Sequence, residues 1–420
     1  MASKGICLWL VFMIITQSVG EDMRSVQMSL MRGWKFHCAT IPCLPLASII
    51  TSTIIKCQMA CLAQIYCRAA SFHQSTSNCE LFSDMSNEIT NMQTDTDITT
   101  MIVIAGTRSL PVCTWSQTAT TIFGSQAGTS GSSLSLLNSP TGMYYDQPNN
   151  RLIVSDLENQ RILQISLNSS PSVATVIAGS NGQGCNMNQF TANIGVGLDS
   201  SGNLYGADLH CNQVVRFPSN SNSATSGTLL GSIAAPALIS INQLTNDIYV
   251  VGNSNNAIYK FVGGSGSPVV VAGGNGNGNA LNQLNGPNGV YYDYLYTNAL
   301  YVADLSNNRV MKFPSGSTSS TYGTVVAGGN GAGNGTNQLN GPRSVVVDSG
   351  GTLYILDRNN NRVQRWLPNA TNGTTIVGGT QGTGSNQLYW PESLVFDSYY
   401  NLLVVDRYNN RIQRFNLTSC

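Results

Sequence analysis

A unit of about fifty residues recurs six times in this chain. A period of that length, built from short apolar runs and Gly/Asn turns, reads as one four-stranded blade of a β-propeller. The plainest copies run Tyr301–Phe313, Tyr354–Trp366 and Leu403–Phe415, and weaker ones lie at Ile153–Ile165, Tyr205–Phe217 and Tyr249–Phe261. Their anchors are Asp156, Asp208, Asn253, Asp304, Asp357 and Asp406, separated by 52, 45, 51, 53 and 49 residues. In the fourth copy the alternation predicts strands at Gly289–Asp293, Ala299–Ala303, Arg309–Phe313 and Thr324–Ala327. The last copy supplies only three strands, so Thr120–Gly124, which matches the outer strand Thr324–Gly328, is predicted to complete the sixth blade and close the ring.

Composition agrees with a turn-rich β protein. Of 420 residues, 10% are charged and 42 are glycine, and twenty basic side chains balance twenty acidic ones. A zero net charge opposes nucleic acid as a partner. Lys4, the apolar run Ile6–Ile15 and the small residues Ser18-Val-Gly20 read as a secretory signal over residues 1–20. The run is shorter than the roughly 20 residues of a spanning helix, so no stable membrane insertion is expected. Setting aside Cys7 leaves ten cysteines, an even number that suits disulfides in an extracellular protein. Five sequons, at Asn168, Asn334, Asn369, Asn372 and Asn416, fit the same compartment.

Residues 30–108 form a separate module with six of the cysteines. Thr53–Tyr66 is helix-compatible, with Ile54, Cys57, Cys61, Leu62 and Ile65 on one face, and strand candidates follow at Ala69–Phe72, Cys79–Phe82 and Met101–Ile104. With its spacing Cys57-x3-Cys61-x5-Cys67-x11-Cys79, the module resembles a PAN/apple domain. That resemblance implies Cys57–Cys79 and Cys61–Cys67 pairs, leaves Cys38 and Cys43 to one another, and implies binding of protein or carbohydrate. Spacing alone does not fix connectivity, and an unclassified disulfide-stapled module remains open. The repeats from 118 to 420 resemble NHL repeats through Val326-Ala-Gly-Gly329, Gln338-Leu-Asn-Gly-Pro342, Tyr354-Ile-Leu-Asp357 and Asn360-Asn-Arg362. The fold class expected is therefore mainly β: a six-bladed NHL-like propeller preceded by a small disulfide-rich α+β module.

Four copies place an Arg five residues after the anchor: Asp156/Arg161, Asp304/Arg309, Asp357/Arg362 and Asp406/Arg411. This spacing is read as turn-holding rather than as a ligand ring, since Asp accepts from turn amides. Cys185–Cys211 and Cys113–Cys420 are the disulfides predicted for the propeller. The candidate ligand site is the channel mouth, at the residues that open the inner strands: Thr141, Asn288, Arg343 and Glu392, with Ile194 and Ala237 as apolar wall. One cation, one anion and two neutral groups there suit a polar neutral or zwitterionic ligand. The simpler reading is that Arg343 and Glu392 only pair. No cofactor or metal is expected. The lyase of this fold that completes peptide amidation needs several imidazoles, and this propeller holds only His210. The function predicted is a secreted, glycosylated, non-enzymatic binder of extracellular protein or glycan, the alternative being a hydrolase or lyase acting at the mouth. Glycans are expected to crowd the face opposite the binding face.

Overall fold

The computed structural model describes residues 113–169 and 172–419 in full, and before them the course of six strands. The chain divides into two compact units, one holding the first 112 residues and one spanning Cys113–Ser419.

In the first unit Phe12–Met13, Met28–Phe36, Ala47–Ile50, Ala69–His73, Asn78–Phe82 and Met92–Val103 share one sheet. Met92–Val103 pairs antiparallel with both Met28–Phe36 and Ala69–His73, and Asn78–Phe82 bridges Ala69–His73 to Ala47–Ile50. The strands expected near Ala69, Cys79 and Met101 are present. The expected helix at Thr53–Tyr66 and the pairings of Cys38, Cys43, Cys57, Cys61, Cys67 and Cys79 lie outside the described residues, as does most of the signal segment.

The second unit is a six-bladed propeller. Its blades begin with the inner strands Pro140–Asp146, Asn193–Leu198, Pro236–Ile241, Gly289–Asp293, Pro342–Val347 and Pro391–Phe396. Each is followed outward by three antiparallel strands. The fourth blade is Gly289–Asp293, Ala299–Asp304, Arg309–Phe313 and Thr324–Gly328, one residue longer than expected in its second and outer strands. Thr120–Gly124 pairs with Arg411–Phe415 as the outer strand of blade six, so the two ends of the unit are joined and blade six has its full four strands. A further ribbon, Leu417–Ser419 with Thr114–Trp115, ties the ends again. The unit therefore starts ahead of residue 118: Trp115 is buried against Tyr354 and Phe396 and donates from Nε1 to Tyr400 O at 2.9 Å.

The core lies between blades. Phe217, Phe261, Phe313, Trp366 and Phe415, each closing a third strand, are essentially inaccessible and fill the gaps between adjacent sheets. Leu137, Phe190, Leu284, Leu339 and Leu388 plug the interblade loops into the same layer. Outer strands one, three, four, five and six end in Gly179, Gly273, Gly328, Gly378 and Gly124, all with positive φ. A Cβ at these positions would strike the carbonyl of Gln160, Asn256, Asn308, Asn361 or Asn410, so only glycine fits. Among the described residues no helix is long and apolar enough to cross a membrane.

Candidate functional site

Antiparallel order puts the starts of the inner strands, the turns between second and third strands, and the interblade loops on one face, here termed the upper face. The repeat signature is used up in holding that face together. In blade six Asp406 Oδ2 accepts from Asn409 Nδ2 at 2.8 Å and from Arg411 Nε at 2.8 Å, while Oδ1 accepts from the Tyr389 amide at 2.6 Å. Arg411 in turn donates to the carbonyls of Gln126, Thr383, Gly384 and Gln387 in the adjoining loops. Asp357/Asn360/Arg362, Asp304/Asn307/Arg309 and Asp156/Asn159/Arg161 repeat the arrangement. Burial pushes the Asp156, Asp304, Asp357 and Asp406 carboxyls up, against the Asn, amide and guanidinium contacts that pull them down. The next residue in each turn has positive φ, and in blades two to six its side chain ties one blade to the next. Asn212, Asn256, Asn308, Asn361 and Asn410 accept through Oδ1 from the amides of Ala235, Gly286, Gly341, Trp390 and Ser139. The Asp-to-Arg spacing therefore holds turns, as the sequence indicates.

Blade two lacks the Arg, and Gln213 occupies its place. There the Cys185–Cys211 disulfide joins the interblade loop to the turn between second and third strands, bridging the same two segments the Arg bridges elsewhere. Asp208 still accepts from the Thr191 and Ala192 amides. Blade three, with Asn253, has an interblade loop of only Ile233–Ala235, which accounts for the short 45-residue step. Cys113 is disulfide-bonded, and Cys420, its expected partner, lies outside the described residues.

The expected channel mouth is only partly a surface. Thr141 is 1% exposed and Asn288 3%, so the structure turns both inward. Thr141 Oγ1 donates to Asn193 O of the next blade at 3.2 Å, and the Asn288 backbone accepts from the Leu238 amide. Inner strands approach so closely at Gly142, Gly195 and Gly289 that a Cβ would meet Ile194 O, Ala237 O and Arg343 O. Ala237 is fully buried, and Ile194 is half-buried. Thr141 and Ala237 are thus buried contacts between blades, and Asn288 is buried with its Oδ1 unpaired.

Arg343 and Glu392 do meet. Arg343 Nε lies 2.9 Å from Glu392 Oε2 and Nη2 donates to Oε1 at 3.1 Å. The structure adds residues that sequence reasoning missed. Arg407 Nη1 donates to the same Glu392 Oε1 at 2.8 Å, and Arg358 Nη1 lies 3.9 Å from it. Arg358 lies over the Trp390 ring at 4.4 Å, Trp390 stacks on Tyr408 at 5.0 Å, and Tyr389 meets Tyr408 edge-on at 5.1 Å. Trp390 has φ +51, a left-handed conformation in which the corresponding residues are Ser139, Ala235, Gly286 and Gly341. A bulky side chain in that conformation is strained by about 1–3 kcal/mol. Burial, with Arg343, pulls the Arg358 guanidinium down to about 10; Glu392 opposes this and Arg407 adds to it. The missed signal was positional. The residue after each anchor is Leu157, Leu209, Ser254 and Leu305 in blades one to four, but Arg358 and Arg407 in blades five and six.

All five sequon asparagines are exposed. Asn168, Asn369, Asn372 and Asn416 follow third strands on the lower face, and Asn334 sits in an interblade loop on the upper. His210 is exposed in a turn. Among the described residues no three His, Cys, Asp or Glu side chains are grouped to hold a metal.

The family model for the NHL repeat matches residues 137–165 and 339–366, and the PAN domain model matches residues 44–102. The chain thus carries NHL repeats on a six-bladed propeller and an amino-terminal PAN domain. No curated protein matches the sequence. Similar solved structures include a protein of unknown function from Bacteroides thetaiotaomicron, 13% identical with a TM-score of 0.55, covering 84% of this chain and 91% of that one. An auxiliary nutrient binding protein from the same organism is 12% identical with a TM-score of 0.54, covering 84% and 92%. A gluconolactonase from Xanthomonas campestris is 12% identical with a TM-score of 0.51, covering 74% and 99%. At such identity the likeness is one of fold.

Proposed function

We propose that the protein is a secreted, glycosylated binding protein whose ligand, an extracellular protein or glycan, docks on the upper face of blades five and six, with the PAN domain as a second contact module. One observation carries this reading: Trp390 is kept in a left-handed conformation, where its counterparts are small, to complete a partly exposed stack with Arg358 and Tyr408. Strain held outside the repeat signature marks a functional site. Glycans on Asn168, Asn369, Asn372 and Asn416 would cover the opposite face. The alternative, a hydrolase or lyase at the mouth, would need Glu392 as a base, yet both its oxygens are engaged by guanidinium groups.

An array of secreted proteins and glycans, probed with the full chain, identifies the ligand. Tyr408 is 39% exposed, so Tyr408→Ala tests the face with little risk to the fold. The expected outcome is a loss of affinity of about tenfold or more, as for an aromatic anchor. Unchanged affinity, or capture abolished by enzymatic deglycosylation, would sink the assignment.

A further inference from the structure

The upper face of blades five and six carries more positive charge than its fold consumes. The buried latch carboxylates there, Asp357 and Asp406, are already matched by Arg362 and Arg411. Arg343, Arg358 and Arg407 stand outside that scheme and share one carboxylate, Glu392, which is 3% exposed. Three guanidinium groups against one carboxylate leave two positive charges unmatched, and a guanidinium does not escape by losing its proton.

Donors are unspent as well as charge. Arg407 Nε is buried without a hydrogen-bond acceptor. Arg358 commits only Nε, to Asn359 Oδ1 at 3.1 Å, and its Nη1 is too far from Glu392 for a hydrogen bond. The aromatic stack holds the Arg358 and Arg407 planes at 4.4 Å from Trp390 and 5.2 Å from Tyr408. Such pre-ordering lowers the entropy lost when a ligand arrives. The charge is also local, since Leu157, Leu209, Ser254 and Leu305 occupy the matching place in the other blades. A long polyanion would need a basic track around the ring. A single anionic group does not.

We propose that Arg343, Arg358 and Arg407 form a receptor for one compact oxyanion, a carboxylate, sulfate or phosphate group borne by the ligand of this face. The proposal rests on the reading of the face as a binding surface and names the group it recognises. It replaces the neutral or zwitterionic ligand expected when Arg343 and Glu392 were the only charges in view. Fork-shaped guanidinium donors suit planar and tetrahedral oxyanions alike.

The full secreted chain is titrated calorimetrically at low ionic strength with sodium acetate, sodium sulfate and sodium phosphate. One saturable site is expected, and the anion preferred distinguishes an acidic side chain or sugar acid from a sulfate or phosphate ester. Arg358→Gln, which sacrifices one internal hydrogen bond, should weaken binding about tenfold, the worth of a charge-assisted contact. Glu392→Gln should strengthen it, because the unmatched charge rises; a cluster with only a structural role would give no such gain. Should Glu392→Gln fail to fold, Arg358→Gln still decides. No saturable binding of any of the three anions, or equal affinity in Arg358→Gln, overturns the proposal. If these fail while Tyr408→Ala still abolishes ligand capture, the binding face stands and only the oxyanion falls.

Discussion

Blades five and six and blades two and three meet the same local demand in different ways. In every blade the chain crossing from the previous outer strand must be fixed over the turn between second and third strands. Blades five and six do this with a buried Asp and Arg bridged by an Asn that donates to the same carboxylate. Blade two uses a covalent bond, Cys185–Cys211. Blade three shortens the crossing to Ile233–Ala235 and holds it through Asn255 Oδ1, which accepts from the Ala234 amide at 3.2 Å, while Asn253 Nδ2 reaches forward to Pro287 O at 2.9 Å in the next crossing. The residue following the Asp takes no part in the latch: it is Leu157 in blade one and Leu305 in blade four, and only blades five and six place an Arg there.

The largest effect expected follows from the latch in blade six. Arg411 is 1% exposed and binds loops on both sides of the ring closure. Asp406→Ala would leave that guanidinium buried without its carboxylate, at a cost of about 3–5 kcal/mol. Asn253→Ala in blade three removes one neutral hydrogen bond, at about 1 kcal/mol. Denaturant unfolding of both variants measures the contrast. Equal losses would mean that the latch is no stronger than one neutral amide contact.

The second effect concerns the covalent substitute. Cys185 and Cys211 are 26 residues apart, and opening that loop by a Cys185→Ser, Cys211→Ser double change should cost about 3.5 kcal/mol by chain entropy. Loosening should be local, with faster hydrogen exchange at the Thr191 and Ala192 amides that Asp208 holds. If those amides stay protected while global stability falls, the disulfide acts on the unfolded chain alone and is no counterpart of the Arg latch.

Most of the fold was legible because it repeats. Periodicity, Gly/Asn turns and the missing fourth strand determine the blades, and Thr120–Gly124 closes the ring as its likeness to Thr324–Gly328 indicates. Cys185 and Cys211 were legible because strand order puts their two turns on one face. The site was half legible. Arg343 and Glu392 emerge from the inner-strand register, but register alone does not show that Thr141 and Asn288 are buried. Arg358, Trp390 and Arg407 were obscured because they sit beside the signature residues rather than in them. The lesson concerns where to look: once a repeat motif is consumed by hydrogen bonds, function lies at the positions where the copies disagree.

The smallest effect tests blade three from its other end. Its Asp247 accepts from Lys260 Nζ at 2.7 Å and from the Gly263 amide at 2.9 Å, on the lower face. Burial acts to raise this carboxyl, but the Lys260 and Gly263 contacts outweigh it, and the folded-state value lies below the ordinary 3.8. A lowered carboxyl stabilises the fold above its unfolded value and loses that contribution as pH falls through the folded one. Lys260 is 25% exposed, so solvent screening holds the worth of the pair to about 1 kcal/mol or less. Asp247→Asn should therefore be slightly less stable than the parent at pH 7, with the gap closing as pH drops below about 4. Denaturation midpoints at neutral and acid pH measure that gap. A gap that stayed constant, or widened toward acid, would show that Asp247 acts through shape rather than charge, and that blade three lacks an ionic tie on either face.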